Sequence, residues 1–202
     1  MMRLLIYYMK KIHLFFIAVI ALAGCTKSIE ERFTKGDNKD VFTEYKIAKG
    51  EHSSDKSGYM PVTITQLNLI VRFDNSAIYS TVLAENQQDI NKLYGFSDND
   101  GEHQQYSARL GWNWNNNALH ILAYCYNNGV RDAQEITTIP IGTDVSCSIS
   151  VTGNVYVFTV NGVTVKMPRT ATTTAAKGYK LYPYFGGDET APHDIKILIK
   201  EV

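Results

Sequence analysis

The chain has 202 residues, 45% of them hydrophobic, three cysteines, and 20 basic against 20 acidic side chains. That length favours a single globular domain. The even charge, with no basic stripe interleaved with aromatics, argues against a nucleic-acid partner.

Residues 9–25 read MKKIHLFFIAVIALAGC. Lys10 and Lys11 form a basic n-region, and Leu14 to Leu22 is an apolar run too short to span a bilayer as a stable helix. Small residues then precede Cys25. The pattern predicts a signal peptide over residues 1–24, with Met9 as the true start. It resembles a bacterial lipobox, in which the peptidase cuts before the cysteine and the cysteine carries the lipids; a plain signal peptide and an uncleaved anchor are the alternatives. Lipidation at Cys25 implies a membrane partner through the anchor, because each buried methylene adds about 0.8 kcal/mol and several chains together hold firmly. Residues 25–40 are polar and charged and read as a flexible tether before one domain over 41–202. Lys27 with Glu30 and Glu31 resembles the acidic export signals of Bacteroidetes surface lipoproteins, which implies an outer-membrane, surface-exposed location. Loss of Arg3, Lys10 and Lys11 with the signal leaves 17 basic against 20 acidic side chains.

Beyond the tether, short alternating runs separated by Gly, Asn and Asp predict an all-β fold. TITQLNLIVRF sets Ile64, Leu67, Leu69, Val71 and Phe73 on one face, with a slip near Gln66. NQQDINKLYGF is the exception: Ile90, Leu93 and Tyr94 have helical spacing and predict one short helix. SARLGWNW and ALHILAYCY flank an Asn run. An even loop there pairs Trp114 with Leu119, Trp112 with Ile121 and Leu110 with Ala123. Both tryptophans then face the core, with Arg109, Asn113, His120, Leu122, Tyr124 and Tyr126 on the opposite face. An odd loop would move His120 to the Trp face. SCSISV, VYVFTV and VTVKM form hairpins through Gly153-Asn154 and Asn161-Gly162. They place Cys147, Ile149, Val151, Tyr156, Phe158, Val160, Val163 and Val165 on one core face. In LYPYFGGDETAPHDIKILIKEV, Pro183 marks an edge or strand end, Gly186-Gly187 ends it, and a last strand starts near Asp194. The total is roughly ten strands in an antiparallel β-sandwich of jelly-roll type, with at most one short helix.

Among motifs that carry chemistry, the outer-face group Arg109, Asn113, His120, Tyr124 and Tyr126 is the candidate ligand surface, since a ligand site needs a few polar groups set among aromatic surface. An ordinary half-exposed sheet face is the plainer reading of the same residues. Asp98, Asp100 and Glu102, two apart around Gly101, form an incomplete calcium candidate, which a solvated turn also explains. Cys125 and Cys147 both fall on core faces and are either buried thiols or a disulfide. Tyr184 and the acids from Asp188 onward are a second candidate rim. No nucleophile elbow, zinc-helix motif or phosphate loop is present, and His52, His103, His120 and His193 share no metal spacing. No strand carries alternating acids, so the E-x-D-x-x-E strand of laminarinase-like jelly rolls is missing. No catalytic residue or cofactor is assigned.

NQQDINKLYGFSD, SARLGWNW, LAYCYNNG, YVFTVNG and YKLYPYFGGDETAPHDI, in that order, resemble a group of Bacteroidetes lipoproteins with a concanavalin-like, jelly-roll sandwich. The resemblance covers most of the chain after Asn68. It implies fold and location and supplies no catalytic residue. Together these observations favour a surface-tethered, non-catalytic binding module for glycan. The alternatives are an envelope or adhesion protein that binds other proteins, and a polysaccharide-cleaving enzyme with an unrecognised site.

Overall fold

Alternation of apolar and polar residues at period two builds two six-stranded antiparallel sheets. The strands are β1 (Thr43–Ile47), β2 (Pro61–Ile64), β3 (Gln66–Phe73), β4 (Asn91–Ser97), β5 (Tyr106–Asn115), β6 (Ala118–Asn127), β7 (Val130–Ile139), β8 (Val145–Thr152), β9 (Val155–Val160), β10 (Val163–Pro168), β11 (Ala176–Leu181) and β12 (Ile195–Glu201). One sheet runs β1-β12-β3-β8-β9-β10 and the other β2-β11-β4-β5-β6-β7. The computed structural model describes residues 41–202; the expected signal peptide, Cys25 and the tether lie outside the described residues.

Turn chemistry sets the registers. Asn116-Asn117 (φ 49° and 57°), Asn128-Gly129 (51° and 80°) and Asn161-Gly162 (46° and 86°) place both central residues in the left-handed region, as two-residue hairpins matched to strand twist require. The even loop pairs Trp112 with Ile121 and Trp114 with Leu119, as the sequence predicts. Val160 meets Val163, and Ile149 meets Phe158.

Between the sheets, Trp112 is fully buried, 5.2 Å from the Phe73 ring and edge-on to Tyr79 at 5.8 Å. Trp114 is only half-buried at the end of its hairpin. On the other core face Val163 is exposed, because it starts edge strand β10 beside the turn, while Met167 on the same strand is buried. Cys125 and Cys147 are free, buried thiols on different sheets, so the disulfide alternative is not what this structure contains. Burial pushes both thiols up, Cys147 to about 12, which leaves them inert.

The expected helix is corrected. Ala84–Gln88 forms a 3-10 turn, and Asn91–Ser97 is strand β4. A bulge between Lys92 and Tyr94 shifts the register against β5, so Leu93 and Tyr94 are both buried. That doubled burial mimics helical spacing. The strands number twelve among the described residues, against roughly ten expected.

Truncating Trp112 leaves a void beside the Phe73 and Tyr79 rings. Trp112→Ala is expected to lower the unfolding free energy by about 3–5 kcal/mol, measured by urea denaturation.

Candidate functional site

The outer face of the β4–β7 sheet is not flat. A cleft of about 600 Å³ opens there, floored by Arg109, Tyr124 and Lys92 and walled by His103, Tyr179 and Tyr184. That volume lies within the range of small-molecule sites. The register explains the floor: Arg109 sits opposite Tyr124 on β6 and opposite Gly95 on β4. A side chain at Gly95 would clash with the Ala108 carbonyl and come within 2.8 Å of Arg109 Cγ. At Gly186 it would come within 2.5 Å of Lys92 Nζ. Two glycines therefore make room for two cations.

Arg109 is the unusual group. It is 7% exposed, its Nε is sealed without a hydrogen-bond partner, and no carboxylate pairs with it among the described residues. Its guanidinium lies 5.3 Å from the Tyr124 ring centroid, and Lys92 Nζ lies 5.0 Å from the same centroid. Burial, with the charges of Arg109 and Arg131 beside it, pushes Lys92 down to about 8. Burial and Arg109 likewise hold His103 below the ordinary histidine value. Burial, with Tyr126 beside it, pushes Tyr124 up to about 12. Lys180 also lines the cleft, but its ammonium is paired with Glu201 at 2.6 Å. Among the described residues Glu102 is the one acid in the lining, and it accepts a hydrogen bond from the Tyr179 hydroxyl at 3.0 Å. The cleft is cationic and rich in tyrosine.

Its wall is held from below. Asp98 is fully buried against Arg169, with Arg169 Nε donating at 2.8 Å and Tyr156 Oη at 2.7 Å. The backbone N–H groups of Asn99 and Lys177 also donate to it. Burial alone would raise the Asp98 carboxyl, but Arg169, Tyr156 and these amides hold it below its ordinary value. From this anchor the loop runs over the sheet to His103, whose N–H reaches Tyr179 Oη at 3.2 Å and whose carbonyl accepts from Ser107 Oγ at 2.7 Å.

The calcium candidate is therefore corrected. Asp98 points inward to an arginine, Asp100 pairs with Lys177 at 2.9 Å, and Glu102 bonds Tyr179, so the three carboxylates do not converge. Among the described residues no cluster of His, Cys, Asp and Glu is arranged to hold a metal ion.

Of the five predicted ligand residues, Arg109, Tyr124 and Tyr126 meet in the cleft. Asn113 and His120 share their face but not the cleft. The segment after the 3-10 turn folds over that end of the sheet: Asn113 Nδ2 donates to the Gln88 carbonyl at 3.1 Å, and Gly111 lies under Ile90. His120 contacts the Asn115 carbonyl at 3.1 Å and Glu135 at 3.2 Å. From the second candidate rim, Tyr184 lines the cleft. Glu189 instead accepts from the Val82 and Leu83 amides. Sequence reasoning missed Lys92, His103 and Tyr179. A bulged-strand reading of residues 91–97 would have exposed Lys92 as an outward cation.

No family model matches the chain, and no curated protein matches it. Solved structures do. Alginate lyase AlyC3 superposes with a TM-score of 0.53 at 11% identity, covering 81% of this chain and 74% of that one. AlyC3 has also been solved in complex with dimannuronate. The catalytic domain of an endo-1,3-β-glucanase (laminarinase) from Thermotoga petrophila superposes at 0.50 with 10% identity, covering 79% and 75%. The fold is the jelly-roll β-sandwich of these proteins.

Because burial lowers its folded pKa, Lys92 costs stability while charged, and that cost is lifted as pH rises from about 8 toward 10.5. A side-chain NMR titration of Lys92 is expected to show a midpoint near pH 8, moving upward in Arg109→Met as the neighbouring charge is removed.

Proposed function

We propose that this protein is a lipid-anchored surface lipoprotein whose sandwich binds an acidic polysaccharide in the Arg109–Lys92 cleft. The observation that carries the reading is Arg109, buried and without an anion. A charge removed from water and left unpaired costs several kcal/mol. A uronate carboxylate entering the cleft offsets that cost by charge-assisted hydrogen bonds to the guanidinium. Tyrosine rings suit the apolar faces of the sugar, while hydroxyl and ring N–H groups orient it. The lining holds one carboxylate, whereas glycoside hydrolysis of the usual kind needs two across the scissile bond. The jelly-roll fold, shared with proteins named as polysaccharide lyases and glucanases, supports a glycan ligand. The lipobox-like sequence before Cys25 and the resemblance to Bacteroidetes lipoproteins support anchoring at the outer membrane.

One observation favours a second reading, cleavage by elimination. His103 Nδ1 lies 3.2 Å from Tyr179 Oη, beside Arg109. Elimination from a uronate needs a cation on the carboxylate, a base for the adjacent carbon-bound proton, and an acid for the leaving oxygen. His103, held below the ordinary histidine value by burial and by Arg109, and the Tyr179 hydroxyl supply such a pair.

Isothermal titration against neutral and acidic polysaccharides tests the site. Arg109→Met is expected to lose about 1.5–3 kcal/mol of binding to the acidic ligand while its Tm does not fall, because an unpaired buried charge has been replaced by an apolar side chain of similar length. Equal binding by wild type and variant would place the site elsewhere. Ultraviolet absorbance of an unsaturated uronate product would favour the lyase reading over the binding one. For the anchor, Cys25→Ala is expected to leave the precursor unprocessed or release the protein from membranes; unchanged processing and retention would contradict lipidation.

A further inference from the structure

The cleft does not end at Tyr179. A second depression of about 270 Å³ continues from it, sharing Tyr179 and Glu102 and lined further by Tyr59, Pro61 and Thr63. Tyr59 is 78% exposed, an uncommon state for a large aromatic side chain. Its ring is not loose decoration: it lies 5.5 Å from the Tyr179 ring at 39°, so the two rings form one aromatic floor running from the main cleft into the depression.

Charge separates the two spaces. The main cleft holds two cations, Arg109 and Lys92, neither with a carboxylate partner among the described residues. The depression holds none: Lys177 is already paired with Asp100 at 2.9 Å. At the junction, Glu102 lines both spaces and its carboxylate accepts from Tyr179 Oη. A second uronate there would meet the Glu102 carboxylate and no free cation, since Asp100 and Lys177 neutralise each other, and like charges brought together in a partly desolvated site disfavour binding. A neutral sugar meets no such penalty. It offers an apolar ring face to Tyr59 and hydroxyls to Asp100, Lys177 and Thr63.

We infer that the depression is a neutral-sugar subsite, and that the ligand is a heteropolysaccharide in which a uronic acid is followed by a neutral sugar rather than by another uronate. The inference rests on the acidic-polysaccharide reading of the main cleft and narrows it.

The test uses the full domain and two probes of equal length, a homopolymeric oligouronate and an unsulfated oligosaccharide alternating uronate with a neutral sugar. Wild type is expected to bind the alternating probe more tightly. Tyr59→Ala, at an exposed position, is expected to keep the wild-type Tm and weaken the alternating probe roughly two- to tenfold, the size of an aromatic contact, with the homopolymer unaffected. Glu102 lines both spaces, and Glu102→Gln is expected to strengthen the homopolymer more than the alternating probe. If wild type binds both probes equally and Tyr59→Ala changes neither, the subsite is overturned and the reading of the main cleft stands. If wild type binds neither probe, both fall together.

Discussion

The site depends on an arginine that the fold buries but does not neutralise. Arg109 is presented outward by β5 because its neighbours Leu110 and Ala108 face the core, yet it is sealed from solvent by what surrounds it. Gly95 opens the space beside it on β4, and Tyr124 on β6 gives its guanidinium a π face. A π face and a buried Nε without a partner do not replace a carboxylate. The fold therefore carries an electrostatic cost that an anion would relieve, and burial together with the same charge pushes Lys92 down to about 8. Strain of this kind is how binding sites depart from the most stable sequence for their fold.

A second buried arginine shows the contrast. Arg169 is as hidden as Arg109 but has Asp98, with hydrogen bonds to Thr173 as well. That pair is structural: removing one partner would strand the other charge, at a cost of about 3–5 kcal/mol. Its role in the site is indirect. It anchors the loop that carries Glu102 and His103 over the sheet, and so sets the wall and the charge boundary of the cleft. One arginine is paired and holds the scaffold together; the other has no carboxylate partner among the described residues.

Much of this was legible in the residues. Asn-Gly and Asn-Asn turns with alternating flanks fix hairpin register locally, which is why the pairing of Arg109 with Tyr124 and the burial of Trp112 followed from the sequence. What failed did so for non-local reasons. The bulge at Lys92 blurred period two into an apparent helix, hiding a cleft cation. Asn113 and His120 share the outer face with Arg109 by register, but Gln88 and Ile90 fold over that end of it. Asp98 looked like a loop ligand because Arg169, 71 residues away, gives no local sign that it will return to pair with it. Whether the face was flat or hollow lay in the loops above it, which carry no periodicity to read.

The central claim, that Arg109 waits for an anion, is tested most directly at its own guanidinium. Arginine side-chain NMR during titration with a uronate oligosaccharide has an internal control in Arg169. The account predicts that the Arg109 Nε and Nη resonances shift and exchange more slowly at saturation, with Arg169 unchanged. Arg109 signals that stay put while ligand binds would contradict it.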